Sequence, residues 1–171
     1  MGFPETAELL VKRQWSVADL LEDRYKQGRG RAIAGITRGS FLEKEVASIL
    51  RTVGAPFDSG VNYTGFKGLQ AKCDFAIPDK ASPLIVIECK GFEATGSKLT
   101  DVLGDVRKII EAKTSQSFFF LVTDGRGWHR RTSDLQKLVD FHAHGQIDMI
   151  YTRQRIGELG LAVQRILKES Q

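Results

Sequence analysis

Apolar residues recur along this chain with two different periods, and the switches between them mark out the elements. From Ser40, "FLEKEVASIL" and the residues after it place apolar side chains at 42, 46, 49, 50 and 53, the spacing of one helix face. Residues 57–72 are polar and glycine-rich and read as irregular chain or a weak strand. Two strands follow, near 72–78 and 83–90, the second ending in "LIVIECKG". Leu99, Val102, Leu103, Val106, Ile109 and Ile110 fall on one face of an amphipathic helix. "SFFFLVT" is apolar on both faces, as in a central strand. "DGRGWHRR" is a loop, a helix covers 133–143 with Ser133 as its cap candidate, and "IDMIYT" is a strand. A last helix over 153–168 keeps Ile156, Leu159, Val163, Ile166 and Leu167 in phase. Upstream, residues 4–13 form a short helix with Pro4 early, and "SVAD" opens a second helix over 17–26 with a capping-box-like start. This order predicts an α/β (α+β) fold, a mixed central β-sheet flanked by helices. It divides into a helical, basic N-terminal extension over residues 1–38 and one core domain over 39–171.

Composition narrows the function classes. A chain of 171 residues buries a sizeable core without disulfide or metal staples. No run of ~18 apolar residues is present, so no membrane span is expected. The start, "MGFPETAELLVKRQW", carries acidic residues and no uninterrupted apolar core, unlike a secretory signal. Cys73 and Cys89 make no disulfide framework, which points to a reducing, cytoplasmic setting. His142 and His144 read as a solvated helix end, where cations suit the dipole. The net charge of +4 is mild, but its distribution is uneven. Between Arg24 and Leu42 there is no acidic residue, while Arg24, Lys26, Arg29, Arg31 and Arg38 all fall there. Such a stretch suits contact with a polyanion; a flexible, solvated linker has the same composition.

The candidate chemistry lies on the two central strands. "DKASP", residues 79–83, is an ordinary hairpin loop. It brings residue 78 opposite 84, and hence Asp74 opposite Glu88 and Cys73 opposite Cys89. Strand alternation then puts Asp74, Glu88 and Lys90 on one face. Phe75, Ile77, Ile85, Ile87, Cys73 and Cys89 form the apolar face. Two carboxylates directly across a strand pair repel each other, and a divalent cation reverses the sign of that interaction. Hard carboxylate oxygens with retained waters are what Mg2+ prefers. Lys90, on the same face, adds a positive charge that positions a water and offsets charge in a transition state. The equipment is that of metal-assisted phosphodiester hydrolysis. The bland alternative is an exposed cluster on a sheet rim, and a one-residue slip of register would remove Asp74 from the face.

With the helix "FLEKEVASIL" upstream, Asp74 followed by Glu88-Cys89-Lys90 resembles the PD-(D/E)XK nuclease superfamily over roughly residues 38–124. That resemblance implies a restriction-endonuclease-like core of αβββαβ. It implies that Asp74 and Glu88 bind Mg2+, with the Cys89 backbone carbonyl as a further ligand, and that Lys90 is the catalytic lysine. It also implies a glutamate on the first core helix. Glu43 matches by its spacing to Val46 and Leu50, and Glu45 is the rival. One departure is that no proline precedes Asp74; the chain reads "KCD". "GFEATGSKLTDVLGDVRKI", "FFFLVTDGRGWHRR" and "IDMIYT" resemble type II restriction endonucleases, in particular the group cutting at GATC. Such enzymes act as homodimers on two-fold symmetric sites in double-stranded DNA.

Arg126, His129, Arg130 and Arg131 surround Trp128 in the loop after the central strand. Arginine forks suit phosphates and guanine edges, and an aromatic ring could stack on an unpaired base; equally, Trp128 could pack on the sheet end. Together with Lys98, in a helix-start loop, and with Arg29, Arg31 and Arg38, these are the expected DNA contacts. Asp101 and Asp105 are four residues apart on a helix, either a second metal site or a solvated face. The expected function is therefore an Mg2+-dependent DNA endonuclease of the type II restriction class. The alternatives are a resolvase- or repair-type nuclease, or a non-catalytic DNA-binding module on the same fold. The last would normally lack one of the three charged residues, and all three are present.

Overall fold

The computed structural model describes residues 41–90, 100–124, 128 and 132–170. The extension expected over 1–38, with its two helices, lies outside them. Helix α1, over 41–52, buries Leu42, Val46 and Leu50, the face its sequence period predicts. Gly54 ends it in the left-handed region at φ 68°, with Gly54 N–H donating to Arg51 O and Ala55 N–H to Leu50 O.

Five strands make one sheet in the order β1-β2-β3-β4-β5. They are β1 Asp58–Thr64, β2 Gln70–Ile77, β3 Ile85–Lys90, β4 Phe118–Thr123 and β5 Met149–Thr152. The first three are antiparallel; β4 and β5 continue in parallel with β3. Helix α2, Thr100–Ala112, carries the chain from β3 to β4, and α3, Thr132–Ala143, from β4 to β5. A 3-10 turn, Arg153–Arg155, leads into α4, Gly157–Glu169. The mixed sheet flanked by helices is thus as expected.

The sheet is covered on both sides. Phe75, Ile77, Ile85, Ile87, Phe120 and Val122 pack with α1 and α4. Ala76, Val86, Phe119 and Leu121 pack with α2 and α3. A strand buried on both faces must be apolar throughout, which explains "FFFLVT". Asp148 anchors the start of β5: its Oδ2 accepts from the Phe119 N–H at 2.7 Å and pairs with Lys113. Asp79 shapes the hairpin loop, where its Oδ1 accepts from the Ala81 and Ser82 N–H groups at 2.8 and 3.1 Å, an Asx turn.

One expectation is decided and one needs correction. Of the two readings of 57–72 the strand holds: the stretch contains β1, the turn Phe66–Gly68 and the start of β2. Its apolar content is low because β1 is an edge strand and buries chiefly Tyr63. Cys73 does not share the face of Phe75 and Ile77 but packs on the opposite side, with Tyr63, Ala71 and Val106. Between the pairs Ser59–Phe75 and Val61–Cys73, Gly60 faces Asp74 with φ 62°. A left-handed residue inside a strand breaks the two-residue period, and the break falls on both strands at that pair. Cys73 and Cys89 are therefore buried in different halves of the core as free thiols.

Candidate active site

The site forms where β2 and β3 part. Their ladder pairs Ile77 with Ile85, Ala76 with Val86 and Phe75 with Ile87, the register the loop length predicts. Beyond Phe75 a side chain takes over from the backbone. Asp74 Oδ2 accepts a hydrogen bond from the Cys89 N–H at 2.7 Å. This bond carries the hairpin one step further and fixes the carboxylate against β3.

Glu88 and Lys90 alternate with Cys89 along β3, whose thiol points into the α1/α4 side of the core. Glu88 is buried, at 6 % exposure. Lys90 Nζ lies 2.6 Å from Glu88 Oε1 and 3.1 Å from Asp105 Oδ2 on α2. A buried carboxylate is tolerated only with such a partner. Burial first, and the Asp74 carboxylate second, push Glu88 up to about 7 in spite of Lys90. Asp74 is raised by burial too, opposed by the Cys89 N–H and then by Lys90 and Lys72. Lys90 is raised: burial acts against its charge, but Glu88 and Asp105 outweigh it. The two carboxylates are thus strained toward protonation while the ammonium is held charged.

Glu43, on the exposed side of α1, joins this field. Its carboxyl is raised by partial desolvation first and by Asp74 second, against Lys72 and Lys90. Glu45 looks elsewhere. Its Oε2 stands 3.4 Å from Arg153 Nε, a pair without hydrogen-bond geometry, and Arg153 also covers the Phe41 ring at 4.6 Å.

Among the expected site residues, Glu43, Asp74, Glu88, Cys89 and Lys90 come together. Arg29, Arg31, Arg38, Lys98, Arg126, His129, Arg130 and Arg131 lie outside the described residues. Trp128 is described, and it does not stand free to stack on a base. It is buried at the sheet end, and its Nε1–H donates to Thr123 Oγ1 at 3.0 Å. The ring needs a partner for its N–H once buried, and Thr123 at the end of β4 supplies it. His144 uses Nδ1–H to bond the Asp140 carbonyl at the end of α3, and His142 uses its own to bond the Ile147 carbonyl in the turn that follows.

Asp105 is the residue that sequence reasoning underrated. Its spacing suggests a pairing with Asp101, whereas its partner is Lys90. The available signal was its place beside Val102 and Val106, which turn that side of α2 toward the sheet.

Among the described residues no group of three or more His, Cys, Asp or Glu side chains is gathered tightly enough to hold a metal ion by itself. No helix among them is long and apolar enough to cross a membrane.

A mixed sheet with helices on both faces, and an Asp, a Glu and a Lys meeting where its central hairpin opens, defines a restriction-endonuclease-like fold. The chain matches the family model of the DpnII restriction endonuclease over residues 36–158, and it belongs to that family. No curated protein and no solved structure matches it.

Proposed function

We propose that this protein is an Mg2+-dependent type II restriction endonuclease that hydrolyses phosphodiester bonds in double-stranded DNA at a short, two-fold symmetric site. The observation that carries this reading is the meeting of Asp74, Glu88 and Lys90 at the mouth of the β2–β3 hairpin. Family membership supports the reaction class. The resemblance to PD-(D/E)XK nucleases supports the roles, and the likeness to the GATC-cutting group supports a site of that kind.

The donor set fits a hard divalent cation. Asp74 and Glu88 offer carboxylate oxygens; burial raises both, and the Asp74 charge adds to the rise of Glu88, a cost that a dication would relieve. They would hold Mg2+, with the Cys89 carbonyl as a further ligand. When bound, the ion supplies polarisation of the phosphate and acidification of a water. Lys90, kept charged by its neighbours, donates hydrogen bonds to the attacking water and to the phosphate oxygen that gains charge. Glu43 stands on the open side to orient that water. The expected partners are double-stranded DNA and a second copy of the chain.

Incubating plasmid DNA with the protein, with and without Mg2+, tests the reading. Discrete fragments that require the cation are expected. Smearing would indicate a non-specific nuclease, and no cutting in any divalent metal would leave a DNA-binding module. Lys90→Ala should bind DNA as the wild type does and cut at least ~1000-fold more slowly, since the side chain acts chiefly on transition-state charge. Normal cutting by that variant would remove Lys90 from the mechanism.

A further inference from the structure

We infer that Asp105 is a positioning residue that receives Lys90 when a divalent cation occupies Glu88. This rests on the function proposed above and extends the site to a residue on α2. Lys90 Nζ is shared between two carboxylates, Glu88 at 2.6 Å and Asp105 at 3.1 Å. They differ in setting. Glu88 is almost wholly buried on β3, and its side chain is 8 % exposed. Asp105 is 42 % exposed, on a helix fixed to the sheet by Val102, Val106 and Ile109.

Lys90 Nζ now holds Glu88 Oε1, and an ion bound to Glu88 would draw on the same negative charge. Two cations on one carboxylate repel each other, which favours moving the mobile one away. Lys90 is itself largely buried, with 19 % of its side chain exposed, and a buried ammonium left without an acceptor carries a desolvation penalty. Asp105 removes that penalty. It is already within hydrogen-bond distance, so a small shift of the flexible lysine side chain toward α2 completes the exchange. Lys90 then stays paired and aimed beside the metal site. Asp105 touches neither metal nor substrate in this scheme; it acts through Lys90.

Such a role predicts coupling between positions 105 and 90 in metal binding, which a direct ligand or a remote charge would not produce. Mg2+ binding to the full chain is measured by calorimetry for wild type, Asp105→Asn, Lys90→Met and the double variant. Asp105→Asn should weaken Mg2+ binding about tenfold in the wild-type background, because Lys90 then remains on Glu88. In the Lys90→Met background the same substitution should change it less than about twofold. Single-turnover cleavage by Asp105→Asn at saturating Mg2+ should fall ~30-fold with DNA affinity unchanged, and Asp105→Glu should recover part of it. Equal weakening of Mg2+ binding in both backgrounds would overturn the inference, since Asp105 would then act on the ion itself. Wild-type Mg2+ binding and cleavage in Asp105→Asn would overturn it too, as would a wild-type chain that binds no Mg2+. Lys90-dependent coupling in a chain that cuts no DNA would uphold the inference and sink the endonuclease reading alone.

Discussion

Asp74 serves both the hairpin and the candidate site with one carboxylate. It accepts the Cys89 N–H at 2.7 Å, and its charge faces Glu88. The two roles separate by substitution. Asp74→Ala leaves a part-buried N–H without its acceptor, a cost of about 1–3 kcal/mol. Asp74→Asn keeps an oxygen for that N–H and removes the charge that burdens Glu88. In metal-free buffer at pH 8, urea unfolding should therefore rank Asp74→Asn at or above wild type and Asp74→Ala below it, while neither cuts DNA. Glu88 itself makes stability depend on pH. Its carboxyl is pushed up to about 7, against 4.5 without the fold, by burial and by Asp74. Between those values the native state holds a proton that the unfolded chain has released. The contribution is fully present below about pH 4.5 and is lost as pH rises through about 7, on the order of 3 kcal/mol in all. Urea midpoints in chelator should fall from pH 5 to pH 8, and Glu88→Gln should remove most of that fall. A fall of equal size in the variant would show that other groups cause it.

At the scale of elements, the hairpin was the most legible part of the chain. The apolar run "LIVI", the loop "DKASP" and alternation give the observed pairing of residues 75–77 with 85–87. What they do not give is the break at Gly60 and Asp74, because a left-handed glycine inside a polar edge strand leaves no periodic trace. For that reason alternation alone puts Cys73 on the wrong face. The β1–β2 hairpin beyond the break leans on α2, and glycine makes the approach: a Cβ at Gly65 would overlap the Ala112 carbonyl oxygen. Since backbone cannot give way as a side-chain tip does, Gly65→Ala should cost about 2–3 kcal/mol. Gly160 in α4 is the contrast. A Cβ there meets Ile49 Cγ2 and Val53 Cγ1 at 3.0 Å, both side-chain atoms. Crowding is offset by ~1 kcal/mol of helix propensity, so Gly160→Ala should stay within about 1 kcal/mol of wild type. Denaturant midpoints for the two variants check the ordering, and equal midpoints would mean that the hairpin moves freely on α2.

Among the described residues, periodicity locates the four α-helices and four of the five strands, because each buries a face with its own repeat. It could not find the Lys90–Asp105 contact, which depends on how far α2 sits above the sheet, nor the burial of Trp128, which depends on Thr123 ending β4 where it does. The proposed homodimer belongs to this scale. Two copies related by a two-fold axis would present the same surface to each other and one site to each strand of a symmetric DNA sequence. Each strand would then be cut by a different subunit. Coexpressing wild-type chain with differently tagged Lys90→Ala chain and purifying the mixed species should give an enzyme that breaks one strand only. Supercoiled plasmid should then accumulate as nicked circles, with linear product at least ~10-fold slower than from the wild-type dimer, the deficit being one lost transition-state contact per complex. If the chain works alone, no mixed species will be recovered through both tags. If one subunit cuts both strands in turn, linear product will appear from the mixed species at about half the wild-type rate.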